Sequence, residues 1–222
     1  MSQQALNSAK TLFGAYKAAL VTLEADIGPP FLQALSLIQN SNGHVVVSGM
    51  GKSGIIGRKI AATLASTGTP SLFLHPAEAI HGDLGMVREG DVIMAISYSG
   101  ETEEIMRLLP AFERLQTHLI AMTGNQNSSL AQHAEIVLNI AVDREACPLN
   151  LAPTTSSLNS LVLGDALAVA LMEMRGFQEE DFAATHPGGS LGRRLLTHVR
   201  DKMRTHNLPF VSGNASVQDA LL

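Results

Sequence analysis

The chain of 222 residues contains one cysteine, Cys147, and so lacks the pair that an internal disulfide or a thiolate zinc framework requires. Positive charge is also scarce, because 15 lysines and arginines stand against 20 acidic residues and the net charge is -5. A broad nucleic-acid interface needs clustered basic residues, so the composition argues against that class of protein. We expect a protein of a reducing compartment whose anionic ligand is small.

Targeting signals and long apolar runs are missing as well. The first residues lack the basic start and apolar stretch of a secretory signal, and we expect a cytoplasmic location. The apolar segment Leu158–Met174 is interrupted by Asn159, Gly164, Asp165 and Glu173, which predicts a packed helix and no membrane partner. With 45% hydrophobic and 16% charged residues, the chain can bury one substantial core.

Short apolar runs alternate with helical patterns along the chain. The runs predict five strands, at Val45–Val47, Ser71–Leu74, Val92–Ile96, His118–Met122 and Ile136–Ile140. Helical spacing predicts helices at Ala5–Leu23, Phe31–Ile38, Ile55–Ser66, Glu103–Arg114 and Ser128–His133. This alternation predicts an α/β fold, in which helices cover both faces of a parallel sheet. Ligands of such sheets bind at the carboxyl ends of the strands.

A turn rich in hydroxyl groups follows the third predicted strand. It reads Ser-Tyr-Ser-Gly-Glu-Thr, from Ser97 to Thr102, and a helical pattern begins directly after it. Short hydroxyl side chains, a glycine and the positive end of a helix dipole together suit a phosphate group. Serine and threonine also cap ordinary helices, and this alternative stays open. Three hydroxyls around one glycine favour the phosphate site.

A glycine-rich turn, Gly49–Gly54, follows the first predicted strand. Its glycine spacing matches a dinucleotide fingerprint, but the acidic residue expected about 20 positions further on is missing. Val46 stands where a Walker loop has glycine, so we expect neither a nicotinamide cofactor nor a Walker nucleotide site. The turn presents Lys52 and Ser53, which favours contact with an anion, although a solvated lysine is the alternative.

Titratable side chains occur in three further loops and beside the hydroxyl turn. They are His81, Glu145 and His186, together with Glu104, which lies two residues after Thr102. Each of these loops, taken singly, predicts an ordinary solvated turn. Taken together, two carboxylates and two imidazoles are able to move protons near neutral pH.

A required metal is not expected. His81 and His186 lack the spacing of a zinc motif, and no carboxylate or thiolate completes a recognisable ligand set. Two histidines in one pocket are nevertheless able to capture zinc, and we expect such zinc to inhibit.

Seven ordered motifs give the chain a specific family resemblance. They are GMGKSG at 49–54, AATLASTGTP at 61–70, HPAE at 75–78, HGDLG at 81–85, EACP at 145–148, LAPTTS at 151–156 and HPGG at 186–189. Between Val45 and Met203 the sequence resembles the sugar-isomerase (SIS) domain of bacterial D-arabinose 5-phosphate isomerases. One departure is Ile55, where the family often has histidine.

The resemblance implies a flavodoxin-like α-β-α sandwich of three layers and a defined reaction. D-ribulose 5-phosphate and D-arabinose 5-phosphate would interconvert through an enediol, without a cofactor. This is the entry to 3-deoxy-D-manno-octulosonate (KDO) for lipopolysaccharide or capsule, and a sugar-alcohol pathway stays open. The partner would be a small-molecule sugar phosphate, and we expect a homotetramer with sites between subunits.

The matching motifs also imply a role for each candidate residue. Glu145 is the first choice for the enediol proton shuttle, and Glu104 is the alternative. Lys52 would stabilise negative charge on oxygen, His81 would orient or protonate hydroxyls, and His186 would help to open the sugar ring, in the pocket of a neighbouring chain. Four hydroxyl residues would hold the phosphate: Ser53, Ser97, Ser99 and Thr102.

The resemblance also implies a division into domains and leaves two other functions open. Residues 1–203 would form the SIS domain, and residues 204–222 would form a linker and the start of a truncated CBS module. A non-catalytic SIS module that senses a sugar phosphate, or an isomerase of another phosphosugar, stays open as an alternative. The sensor would need the hydroxyl turn but not all four titratable residues, so their joint presence favours an enzyme.

Overall fold

A parallel five-stranded sheet is the centre of the computed structural model, which describes residues 2–189, 194, 197–206, 208 and 210–220. The strands are β1 Val45–Gly49, β2 Ser71–Leu74, β3 Val92–Ile96, β4 His118–Thr123 and β5 Ile136–Asn139. Their order, β2-β1-β3-β4-β5, is the flavodoxin-like order. The predicted parallel sheet of five strands is confirmed.

The helices fall into two compact units, a larger one that ends at Phe177 and a smaller one that begins at Gln178. The larger unit contains α1 Ser2–Ala25, α2 Pro29–Asn40, α3 Gly51–Ser66, α4 Pro76–Ile80, α5 Glu103–Met106, α6 Leu109–Arg114, α7 Ser129–His133, α8 Thr155–Met174 and a 3-10 helix at Asp83–Met86. The smaller unit contains α9 Glu179–Thr185, α10 Val199–Lys202 and α11 Val217–Ala220. The proposed boundary between residues 203 and 204 stays a prediction.

The two faces of the sheet are covered by different helices. Successive side chains of a strand point to opposite faces, so β3 divides its apolar residues between two cores. Val92, Met94 and Ile96 pack with residues of α2, α3 and α8, whereas Ile93 and Ala95 pack with residues of α5, α6 and α7. This confirms the three-layer α-β-α sandwich. Because α3 and α5 leave the sheet toward opposite faces, a crevice lies at the carboxyl ends of β1 and β3.

Helix α8 belongs to one of these cores. By length and composition it is apolar enough to span a membrane, with a mean hydropathy of 1.3. Leu163, Leu167 and Leu171 are buried in the core, as expected of a packed helix. A Cβ atom on Gly164 would lie only 2.4 Å from Cδ1 of Ile60, so α3 and α8 approach each other closely.

Two predicted helices differ from the structure. Helix α3 begins at Gly51 rather than at Ile55, because Gly51 adopts a φ of 54° that lets the chain turn into the helix directly after β1. The helix predicted over Glu103–Arg114 is two helices, α5 and α6. Pro110 has no N–H group to donate within a continuous helix, and just before it the Leu108 N–H bonds the carbonyl three residues back, that of Ile105, at 3.0 Å. The other predicted elements differ from the observed ones only at their ends.

Candidate active site

The hydroxyl turn after β3 is closed by its own side chains. Ser97 is 2% exposed, and its Oγ lies 2.7 Å from Oγ1 of Thr102 and accepts the Gly100 N–H at 3.0 Å. Ser99 Oγ accepts the Glu101 N–H at 3.2 Å. The structure therefore brings the predicted phosphate-binding hydroxyls Ser97 and Thr102 into contact.

Thr102 bears on the choice between a phosphate site and a helix cap. It occupies the N-cap position of α5, but its side chain makes no capping hydrogen bond. Its hydroxyl contacts Ser97 instead. Because α5 has only four residues, its dipole is weak, and the predicted contribution of a helix dipole to this site is reduced. The hydroxyl groups are therefore the main polar feature of the turn.

Gly100 fixes the turn against α7. Its φ is 70°, and an added Cβ atom would lie 1.9 Å from Oγ of Ser128, the residue that caps α7. The Leu130 N–H donates to the Gly100 carbonyl at 3.1 Å, and the Ser129 N–H donates to Oε1 of Glu101 at 2.7 Å. The Ser129 hydrogen bonds hold the pKa of Glu101 below its usual value. The start of α7 and the hydroxyl turn therefore support each other.

The glycine-rich turn after β1 lies beside the hydroxyl turn. Gly49 pairs in register with Ile96, and a Cβ atom on Gly49 would lie 3.2 Å from the Ile96 carbonyl oxygen. Lys52 and Ser53 lie in the first turn of α3, not in a loop as predicted. Lys52 is exposed, whereas Ser53 is half-buried. Ile55, at the position where the family that the sequence resembles often has histidine, is 61% exposed.

A cavity of about 280 Å³ lies where these turns meet the loop that follows β5. Its lining includes Ser53, Tyr98, Glu145, Asn150 and Pro153. Its volume is close to the lower limit for sites that enclose small ligands. The cavity brings one predicted phosphate ligand and the first-choice proton shuttle together, at the strand ends where α/β sheets bind ligands.

Glu145 receives its hydrogen bonds from the amino-terminal end of α8. Oε2 accepts the N–H groups of Thr154 and Thr155 at 2.7 Å each and that of Ser156 at 3.3 Å. The Thr154 hydroxyl donates to the same oxygen at 3.0 Å, and the Ser156 hydroxyl donates to Oε1. A carboxylate in this position satisfies unpaired N–H groups and complements the helix dipole. Glu145 thus both caps α8 and lines the cavity.

These contacts set the charge of Glu145. Partial burial raises the pKa of the carboxyl group, but hydrogen bonds from Ser156 and Thr154 outweigh burial and hold the pKa below its ordinary value. Near neutral pH the side chain is therefore an anion.

The loop that carries Glu145 is shaped by Asn150. Asn150 has a φ of 55°, a left-handed conformation that asparagine tolerates better than most residues. Its Oδ1 accepts the Glu145 N–H at 2.6 Å. Within the same loop, hydrogen bonds from the backbone N–H groups of Leu151 and Ala152 lower the pKa of the Cys147 thiol.

Three other predicted residues are not among those that line this cavity. Glu104 is half-buried in α5, and its carboxylate has no hydrogen-bond partner within the described part of the chain. His81 is exposed at the carboxyl end of α4. His186 belongs to the smaller unit, where its ring stacks on Phe182 at a centroid distance of 3.9 Å and Nδ1 lies 3.0 Å from the Phe182 carbonyl. The roles of these three residues stay predictions.

Sequence reasoning missed the polar residues that hold Glu145. The sequence prediction includes Thr154, Thr155 and Ser156 only as part of the motif LAPTTS, although hydroxyl residues ahead of an apolar helix are a signal of a helix start. Among the described residues, no three His, Cys, Asp or Glu side chains are grouped so as to hold a metal ion.

Comparison with known proteins gives consistent matches. Residues 37–170 match the family model described as "SIS domain". The arabinose 5-phosphate isomerase KdsD of Pseudomonas aeruginosa is 56% identical over 218 residues, which are 98% of this chain and 67% of that protein. A probable arabinose 5-phosphate isomerase of Haemophilus influenzae is 54% identical over 91% of this chain and 60% of its own length. This chain thus spans about two thirds of the length of these relatives.

A solved structure extends the comparison to three dimensions. A protein of Escherichia coli CFT073 in complex with A5P is 44% identical and superposes with a TM-score of 0.79. The match covers 84% of this chain and the whole of that chain.

Proposed function

Because this chain belongs to the SIS domain family, we propose that it is an aldose-ketose isomerase that interconverts D-ribulose 5-phosphate and D-arabinose 5-phosphate. Relatives 54–56% identical carry that activity in their names, and a solved neighbour binds A5P, which we take to be arabinose 5-phosphate. The observation that carries the proposal is the anionic Glu145 carboxylate in a cavity it shares with Ser53, beside the turn after β3.

The proposed reaction moves one proton between carbon atoms and one between oxygen atoms. A carboxylate base takes a proton from C1 of ribulose 5-phosphate and gives an enediol, and return of a proton to C2 gives the aldose. The hydroxyl proton moves from O1 to O2 in the same sequence. We assign the base to Glu145, with Glu104 as the alternative. Lys52 would stabilise negative charge on oxygen, and His81 would orient or protonate hydroxyls.

Phosphate binding supplies the positioning for this chemistry. Ser53, Ser97, Ser99 and Thr102 would bind the phosphate, which lies at the end of the substrate that does not react. Binding energy from this remote group holds the reacting carbons near the base. A phosphate that engages the Ser97 hydroxyl would replace its present contact with Thr102.

The oligomeric state of the protein is also a proposal. Helix α1 leaves Leu6, Phe13 and Val21 more than half exposed, although it is long and partly apolar. Such exposed apolar surface is typical of an interface. We propose a homotetramer, in which His186 of one subunit serves the site of another and assists ring opening. Sedimentation velocity at micromolar concentration is expected to give a tetramer, and a persistent monomer would contradict the proposal.

The proposal also covers the cofactor, the metal, the location and the last residues of the chain. Isomerisation through an enediol needs neither a cofactor nor a metal, and zinc captured by His81 and His186 would inhibit. We propose a cytoplasmic enzyme that supplies arabinose 5-phosphate for KDO, with no nucleic-acid or membrane partner. Residues 204–222 would form a linker and the start of a CBS module.

One assay tests the proposed function. The protein is incubated with D-ribulose 5-phosphate in the presence of a chelator, and the aldose formed is identified by chromatography. Arabinose 5-phosphate is the expected product. Parallel reactions contain a ketohexose phosphate and a ketoheptose phosphate, for which we expect much lower turnover. Preferred turnover of either of these substrates would favour an isomerase of another phosphosugar. Binding without turnover would favour a non-catalytic sensor.

A further inference from the structure

The two carboxylate oxygens of Glu145 have unequal environments. Within the described part of the chain, Oε2 accepts four hydrogen bonds: one from the Thr154 hydroxyl and three from the N–H groups of Thr154, Thr155 and Ser156. Oε1 accepts one, from the Ser156 hydroxyl. A carboxylate oxygen has about two lone-pair sites, so the acceptor capacity of Oε2 is used and that of Oε1 is not. Oε1 is therefore the oxygen that is available to take a proton.

Ser156 is well placed to control this oxygen. It lies in the first turn of α8, is 4% exposed, and its N–H and hydroxyl groups both reach Glu145. Its backbone carbonyl accepts the Ser160 hydroxyl at 2.9 Å, which anchors it within the helix. A hydroxyl group donates to an ionised carboxylate and accepts from a protonated one. Ser156 can therefore remain bonded to Oε1 before and after proton transfer.

We propose that Ser156 is a positioning residue of the isomerase, which orients Oε1 of Glu145 as the proton-accepting atom and stabilises both of its protonation states. The proposal rests on the proposed function and deepens it, because it names the reactive oxygen and its partner. Thr154 and Thr155 act on Oε2 and have a different role, because they fix the carboxylate to the end of α8.

Replacement of Ser156 with alanine is the direct test. The Ser156→Ala variant keeps the backbone N–H bonds to Oε2 but loses the donor to Oε1. We expect kcat to fall about tenfold with little change in KM, because Oε1 is no longer held in position for proton transfer. Loss of a donor to the ionised form raises the pKa of Glu145, so the acid limb of the kcat profile moves to higher pH. Ser156→Thr, which keeps the hydroxyl, is expected to have the kcat and the pH profile of the wild-type protein.

Ser41→Ala is the matched control. The Ser41 hydroxyl donates to the Gly90 carbonyl at 2.8 Å and accepts the Gly43 N–H at 3.0 Å, ahead of the amino-terminal ends of β1 and β3. Its loss removes two hydrogen bonds at the edge of the sheet opposite the cavity. We expect a lower melting temperature with unchanged kcat and an unchanged pH profile.

A spectroscopic titration separates this proposal from the proposed function. The pKa of Glu145 is measured by ¹³C NMR in glutamate-labelled wild-type and Ser156→Ala protein, with Glu145→Gln to assign the signal. A higher pKa in Ser156→Ala together with a lower kcat supports the proposal. An unchanged pKa or an unchanged kcat would overturn it. If the wild-type protein turns over no sugar phosphate, the proposed function fails. A higher pKa of Glu145 in Ser156→Ala then no longer supports a role of Ser156 in catalysis.

Discussion

Replacement of Glu145 with glutamine is expected to lower kcat by about 10²–10⁴-fold, the usual contribution of general acid-base catalysis. Glutamine has nearly the same shape but no basic oxygen, so KM for the sugar phosphate should change little. The side chain would still reach the N–H groups of Thr154 and Thr155 through its carbonyl oxygen. Steady-state kinetics with D-ribulose 5-phosphate measure both constants.

Two other carboxylates make this experiment specific. Glu103→Gln changes an exposed residue of α5 that pairs with Arg107, and we expect nearly normal turnover. Glu104→Gln tests the alternative base in the same helix. Near-normal kcat in Glu145→Gln would contradict the assignment, and loss of kcat in Glu104→Gln alone would transfer the role to Glu104. A thermal melt of each variant shows whether the cap of α8 is retained.

Replacement of Gly100 with alanine is expected to disrupt the hydroxyl turn. A non-glycine residue with a φ near 70° is strained by about 1–2 kcal/mol, and the new Cβ atom would collide with Ser128. The turn must shift, and displacement of a binding group by about 1 Å can cost about 10²-fold in rate. We expect kcat/KM to fall by about that factor, with a higher KM because phosphate contacts are lost.

Gly90→Ala is the matched control for backbone strain. Gly90 has a φ of 80°, but no atom lies within 4 Å of an added Cβ, and the residue precedes β3 at the opposite edge of the sheet. Both variants should melt at lower temperature, and only Gly100→Ala should lose substrate affinity. Equal KM values in the two variants and in the wild-type protein would contradict a role of the turn in phosphate binding.

The sheet was predictable from sequence because its central strands are buried on both faces. Val92–Ile96 is a continuous apolar run bounded by an acidic residue and a hydroxyl turn, and the structure gives β3 the same limits. The division of the predicted helix at Glu103–Arg114 was harder to foresee. Its apolar spacing continues across the break, and Pro110 was the local signal of the interruption.

The types of residue at the candidate site could be predicted from the sequence, but the contacts between these residues could not. Hydroxyl and glycine residues at strand ends indicate a ligand edge, because parallel strands bring their carboxyl ends together. The capping of α8 by Glu145 depends on a loop whose path is set by the left-handed Asn150. No periodicity encodes such a path, so the unequal environments of the two Glu145 oxygens became visible only in three dimensions.

Isomerisation of a five-carbon sugar phosphate through an enediol leaves an isotopic mark on the product. The protein is incubated with D-ribulose 5-phosphate in D₂O, and the product is analysed by NMR and mass spectrometry. We expect arabinose 5-phosphate that carries deuterium at C2, because the proton on a carboxylate base exchanges with solvent. A reaction that yields no arabinose 5-phosphate would refute the proposed function.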